Sequence, residues 1–168
     1  MRCYKKYIFF LIILGGVLLS SCYTFNGGTT GNAKSAYVAF FKNEALNVNP
    51  SLSQILTDKL KDKLLRETKL QLLTSDTADM QFYATITGYT TSPSSVGSGD
   101  VTLKTRLTIT LNVKFINKTD KKKNFESTVS SFSDYDASKN LSDVESVVVD
   151  DAGTKLIQEI YNRALNNW

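Results

Sequence analysis

Thr102-Leu103-Lys104-Thr105-Arg106-Leu107-Thr108-Ile109-Thr110-Leu111-Asn112-Val113-Lys114-Phe115 alternates without a break over fourteen residues. Leu103, Thr105, Leu107, Ile109, Leu111, Val113 and Phe115 fall on one face, and Thr102, Lys104, Arg106, Thr108, Thr110, Asn112 and Lys114 on the other. Successive side chains of a strand point to opposite faces, so one face lies on a core and the other meets water or a polar partner.

On the C-terminal side, residues 117–124 (Asn-Lys-Thr-Asp-Lys-Lys-Lys-Asn) form a hairpin tip, and residues 124–134 return as a second strand. A phase shift near Phe132 predicts a bulge or bend there. The last helix opens at Ser142-Asp143-Val144-Glu145, a capping-box pattern. It carries Val147, Val148, Leu156, Ile157, Ile160, Ala164 and Leu165 on one side, with Gly153 inside it at a cost of about 1 kcal/mol against alanine.

On the N-terminal side, residues 92–100 are a Ser-, Gly- and Pro-bearing break. Residues 80–92 precede it as a strand with Met80, Phe82, Ala84 and Ile86 opposed to Gln81, Tyr83, Thr85 and Thr87, and residues 70–74 give a short one. A helix reaches from Asn49-Pro50-Ser51 to about Glu67: Asn49 suits the cap and Pro50 the first helical position. Leu52, Ile55, Leu56, Leu60 and Leu64 form its apolar stripe, and its basic face is better read as a solvated surface than as a partner surface. Residues 36–43 form a first β-run, with Val38 and Phe40 alternating against Tyr37, Ala39 and Phe41. The order β-α-β-β-β-β-α places two amphipathic helices on one amphipathic sheet. The predicted fold class is α+β: a two-layer sandwich with both helices on one face of a mostly antiparallel or mixed sheet of four to five strands.

The N-terminus sets the expected maturation. Arg2, Lys5 and Lys6 precede a 13-residue apolar run, residues 7–19, too short to span a bilayer and weakened by Gly15-Gly16. This is a signal peptide. Leu19-Ser20-Ser21-Cys22 follows as a lipobox: the Cys22 thiol accepts a diacylglyceryl group, and cleavage falls between Ser21 and Cys22. The expected organisation is a removed signal over 1–21, a lipidated flexible tether over 22–35 and a single domain over 36–168. Several acyl chains on Cys22 give lasting attachment, and no other cofactor is expected.

Cleavage leaves 147 of the 168 residues, with seventeen Lys and Arg against sixteen Asp and Glu, a net charge of +1 rather than +4. The high isoelectric point, about 9.0, therefore mostly describes a discarded peptide and does not indicate nucleic-acid binding. With no histidine and no free cysteine left, imidazole metal sites, Ser-His triads and cysteine nucleophiles are excluded. The pairs Asp134/Asp136 and Asp150/Asp151 are better read as solvated surface than as acid/base carboxylates. Gly97-Ser98-Gly99 lacks the spacing of a phosphate loop. An enzyme is not expected.

The lipobox, the aromatic tether Tyr23-Thr24-Phe25-Asn26-Gly27, the Asn49-Pro50-Ser51-Leu52-Ser53 helix start, Ile86-Thr87-Gly88-Tyr89, the strand over 106–115 and the Asn166-Asn167-Trp168 ending together resemble the LptE family of lipopolysaccharide-assembly lipoproteins in its Bacteroidota form. Members often carry glycine directly after the lipid-bearing cysteine, where this chain has Tyr23. The resemblance implies a periplasm-facing lipoprotein of the outer membrane that plugs the lumen of an LptD-type β-barrel and helps it deliver lipopolysaccharide to the outer leaflet. A hydrophilic strand face suits the polar inside of a barrel. The alternative is a free-standing envelope lipoprotein that binds an extracellular ligand or another envelope protein. The uncharged stretch 23–33 favours the periplasmic side.

Two further expectations concern single sites. Lys118, Lys121, Lys122 and Lys123 at the hairpin tip offer ammonium groups to the phosphates of lipopolysaccharide, or else form a solvated turn that keeps an edge from pairing. Asp76-Thr77-Ala78 resembles the acceptor pattern for O-glycosylation of exported Bacteroidota proteins, at Thr77. Asn117-Lys118-Thr119 fits the N-glycosylation pattern and carries little weight.

Overall fold

The computed structural model describes residues 30–47, 49–96 and 102–166. In chain order these form β1 (Ser35–Val38), β2 (Lys42–Asn43), α1 (Leu52–Glu67), β3 (Gln71–Leu73), β4 (Met80–Val96), β5 (Thr102–Asn117), a 3-10 turn (Lys121–Lys123), β6 (Phe125–Asp136) and α2 (Leu141–Leu165). The strands make one mixed sheet in the order β3-β1-β4-β5-β6, with β2 also on β4. β1 pairs in parallel with β3 and with β4, and β4-β5-β6 is an antiparallel meander. α1 supplies the crossover that parallel neighbours require. The fold class is the expected α+β sandwich. Its strands number six because the run over 36–43 divides in two.

Both helices lie on the inner face of the sheet. Leu107, Ile109, Leu111, Val113 and Phe115 of β5, with Met80, Phe82 and Ile86 of β4, are buried beneath them. Phe115 joins Phe82 and Phe125 in an aromatic row with centroids 4.8 and 5.5 Å apart. Leu52, Leu56, Leu60 and Leu64 of α1 are fully buried, while Ile55 is half-buried at the rim. The two helices touch at Gly153, where a Cβ would come within 3.0 Å of Leu56 Cδ2 and 3.5 Å of Lys59 Cδ. That glycine, a liability in an isolated helix, permits the close crossing. Ser131 and Ser133 on the inner side of β6 are small and buried beside α2.

The N-cap of α1 is Ser51 rather than Asn49, its side chain makes no cap bond, and Pro50 precedes the helix instead of opening it. Asn49 shapes the turn that leads in: its Oδ1 accepts from Ser51 N at 2.9 Å, across a Pro50 that has no N–H to satisfy.

Several local expectations fail for identifiable reasons. In the first β-run, Phe41 is buried and Phe40 exposed, the reverse of the alternation. The backbone leaves the ladder after Ala39, and Phe41 N donates to the buried Thr57 Oγ1 at 3.0 Å, swinging the next side chain inward. In β4 the register shifts between Ile86 and Gly88, leaving Thr87 as the extra residue of a bulge and turning Tyr89 into the core. The break expected from residue 92 begins later. β4 continues through Pro93 and pairs with β5 to Val96, which proline tolerates because β4 has no described neighbour on its other side beyond Ile86.

β6 has no bulge at Phe132. Its register with β5 is unbroken and its burial alternates throughout, so Phe132 simply faces outward. The capping box over Ser142–Glu145 does not form. The cap is Asn140, Ser142 lies inside the first turn, and the Glu145 carboxylate is engaged elsewhere. Val147 faces out while Val148 and Val149 are buried. The folded part begins before residue 36: residues 30–33 make a turn closed by Ala33 N to Thr30 O, Ala33 is buried, and β1 starts at Ser35.

Candidate interaction surfaces

No described helix covers the outer face of the β4-β5-β6 meander, and its side chains are matched across the strands. Register sets Lys104 opposite Asp136, Arg106 opposite Asp134 and Lys114 opposite Glu126, with Thr108, Thr110, Asn112, Thr128 and Ser130 between them. Directly opposed residues lie about 5 Å apart, close enough for opposite charges to attract. Arg106 grips Asp134 through Nε and Nη2 at 2.8 and 3.0 Å and lies flat on the Phe132 ring, 3.6 Å from its centroid. The Arg106 guanidinium holds the Asp134 carboxyl below the ordinary carboxylate range. The face is therefore hydroxyl-rich, with its charges balanced in pairs. Along its outer edge, Lys155 Nζ reaches Phe132 O at 3.2 Å and Arg163 Nη1 reaches Ser127 Oγ at 3.1 Å. Lys155 thus occupies a backbone carbonyl on the free edge of β6, where unwanted pairing would begin.

The β5–β6 tip is built by side-chain amides. Asn117 Oδ1 accepts from Thr119 N, Thr119 Oγ1 and Asp120 N, and Asn124 Oδ1 accepts from Asn117 N at 2.7 Å. Asp120 caps the 3-10 turn by accepting from Lys122 N. The lysines therefore stand on a fixed turn. Lys121 and Lys122 are exposed and Lys123 is half-buried. Lys118 is exposed too, but its Nζ donates to Asp76 O at 2.9 Å. None of the four forms an ion pair among the described residues. The Asp79 carboxylate close by accepts from Lys34 N, Ser35 N and Ser35 Oγ, and these donors, Lys34 N first, hold its pKa below the usual value. This carboxylate ties the start of β1 to the turn before β4.

A second polar cluster had no sequence signal because its members are scattered along the chain. Tyr89 OH and Asn49 Nδ2 both donate to Glu145 Oε1, joining the β4 bulge, the turn before α1 and the first turns of α2. Burial, followed by the bond to Glu145, raises the Tyr89 pKa well above that of a free phenol.

The remaining expected sites sort plainly. Ser21 and Cys22 lie outside the described residues. Thr77 is exposed, with its hydroxyl 2.8 Å from Ser75 Oγ. Asn117 is 1 % exposed and holds the tip together, so it is closed to N-glycosylation. Each carboxylate weighed as an acid or base is already engaged: Asp134 with Arg106, Asp136 with Ser138, Asp150 with Lys59 and Asp151 with Lys155. Among the described residues no group of His, Cys, Asp or Glu could hold a metal ion, and no helix is long and apolar enough to cross a membrane.

No curated protein matches the chain significantly. Solved structures share its fold at low identity. Protein XCC0632 from Xanthomonas campestris is 13% identical, with a TM-score of 0.55 over 82% of this chain and 90% of that one. A hypothetical protein, CT253 from Chlamydia trachomatis, is 10% identical, with a TM-score of 0.54 over 80% and 100%. An uncharacterized lipoprotein B from Nitrosomonas europaea is 8% identical, with a TM-score of 0.50 over 77% and 80%. These likenesses establish the fold alone. The family model for lipopolysaccharide assembly, LptE, matches residues 33–164, from the turn before β1 to the last turn of α2. The chain belongs to the LptE lipopolysaccharide-assembly family.

Proposed function

We propose that this protein is a non-enzymatic, lipid-anchored subunit of the lipopolysaccharide export machinery of a Gram-negative outer membrane, seated inside the lumen of an LptD-type β-barrel. Cys22 carries the acyl groups and holds the chain on the periplasmic side of the membrane. Family membership supplies the pathway. The observation that carries the plug reading is the uncovered outer face of the meander, where hydroxyls, opposed charges and the Arg106–Asp134 ion pair present a surface suited to a hydrophilic barrel interior. A lumen-filling subunit must be polar where it meets the barrel yet rigid, and the buried sheet–helix core meets the second requirement.

A photocrosslinking residue placed at Asn112 or Thr128, on that face, is expected to capture a large outer-membrane barrel in intact cells. Capture only of soluble proteins from both positions would favour a free-standing envelope lipoprotein instead. The intact mass of the mature chain reads two further parts of the proposal, the acyl adduct at Cys22 and a glycan at Thr77; a mass with the lipid alone removes the glycan.

A further inference from the structure

The sequence offers the tip lysines to lipopolysaccharide phosphates or reads them as a solvated turn, and the structure adds their position relative to residue 22. Thr30, Gly31 and Asn32, where the described chain begins, line the same cleft as Asn117, Thr119, Asp120 and Lys123 of the tip. Cys22 is eight residues before Thr30. Eight residues reach at most about 29 Å. The other end of β5 lies about 50 Å away, since its sixteen residues rise about 3.3 Å each. An acyl group on Cys22 therefore brings the lysine tip, and not the opposite end, to the membrane surface.

The charges at this end are free to act there. Lys121, Lys122 and Lys123 have no carboxylate partner among the described residues, because Asp120 is turned to Lys122 N and Asp79 to the start of β1. Arg163, across a second cleft from Lys122 and Lys123, is bonded to Glu159 and Ser127 and adds little free charge. From this placement we infer that Lys121, Lys122 and Lys123 form a membrane-contact patch for anionic phospholipid headgroups of the leaflet that holds the acyl chains. The patch is a second, electrostatic attachment that sets the orientation of the domain on its tether. A lipid anchor combined with a polybasic patch is a stronger attachment than either alone.

The inference rests on the lipid anchor proposed at Cys22, so its test removes that anchor. The core lies within residues 33–165, so the chain from residue 22 onward, carrying Cys22→Ser, retains the whole fold. This protein is sedimented with vesicles of phosphatidylethanolamine and phosphatidylglycerol, with uncharged phosphatidylcholine vesicles, and with vesicles containing lipopolysaccharide. We expect binding to the phosphatidylglycerol vesicles at low salt. It should weaken by about tenfold or more when Lys121, Lys122 and Lys123 are all changed to Gln, and again in high salt. Lys139→Gln, at the opposite end of the molecule, should leave it unchanged. Circular dichroism confirms the triple variant's fold, whose tip bonds come from Asn117, Asp120 and Asn124. Equal binding to uncharged vesicles, undiminished binding by the triple variant, or binding confined to lipopolysaccharide would each overturn the inference. None of these outcomes touches the anchor, which the mass of the mature protein reads separately.

Discussion

Replacing Gly153 by alanine sets two opposing effects against each other at the point where the two helices touch. In an unconstrained helix the change stabilises by about 1 kcal/mol, because glycine has more backbone freedom to lose on folding. Here the new methyl carbon would sit 3.0 Å from Leu56 Cδ2, whereas carbon atoms prefer about 3.5–4.0 Å. Leu56 is fully buried, so relieving the contact means shifting its side chain by a few tenths of an ångström within the core. Overpacking of this kind costs about 1–3 kcal/mol. The net expectation for Gly153→Ala is a loss between roughly zero and 2 kcal/mol. The sharper expectation concerns Leu56→Ala. That change alone costs about 2–5 kcal/mol through the cavity it leaves, but it clears the space that the Gly153 methyl needs. In the Leu56→Ala background, Gly153→Ala should stabilise by about 1 kcal/mol or more. Urea unfolding of the four proteins, followed by far-ultraviolet circular dichroism with the slopes compared, closes this double-mutant cycle. If Gly153→Ala stabilises equally in both backgrounds, the helices do not touch at this point and the account of the crossing is wrong.

Other expectations follow from single contacts. Tyr89→Phe deletes one of the two donors to Glu145 and should cost about 1–3 kcal/mol in urea unfolding; an unchanged midpoint would mean that the staple between α1, β4 and α2 has no weight. The Asp79 pKa is depressed in the folded state, so its contribution to stability is complete above the unfolded value of about 3.9 and disappears as pH falls through the lower folded value. The melting-temperature gap between wild type and Asp79→Asn should therefore be widest near neutral pH and close in strong acid. A gap independent of pH would place its origin outside the carboxylate. Thr128→Phe, on the exposed outer face, should change stability by no more than about 0.5 kcal/mol and yet reduce recovery of the barrel partner from membranes. Full recovery would move the barrel contact to another face.

The elements that could be read from the sequence are those whose pattern reflects a single dominant demand. β5 alternates strictly because one face is core and the other polar along nearly all its length, and the α1 stripe is local in the same sense. Residue spacing misleads where a distant partner decides orientation. Phe41 turns inward because Thr57, sixteen residues away, satisfies its N–H. Glu145 abandons the capping box for Tyr89 and Asn49, which only tertiary folding brings near it. Phe132, an aromatic among hydroxyls and carboxylates, implied a phase shift, but the guanidinium of Arg106 gives it a reason to face outward. The parallel pairing of β1 with β3 and β4 left no trace in residue spacing, since it depends on the path of α1 over the sheet. The lysines of the candidate site were conspicuous as a run. Their closeness to Thr30 was not, because it requires knowing that β1 and the β5–β6 tip share one end of the sheet.

The most direct test is to recover the tagged, lipidated protein from outer membranes and identify by mass spectrometry what survives detergent washing. The account predicts one large β-barrel protein in near-equal amount. Recovery of the lipoprotein alone, or with soluble partners only, would contradict it.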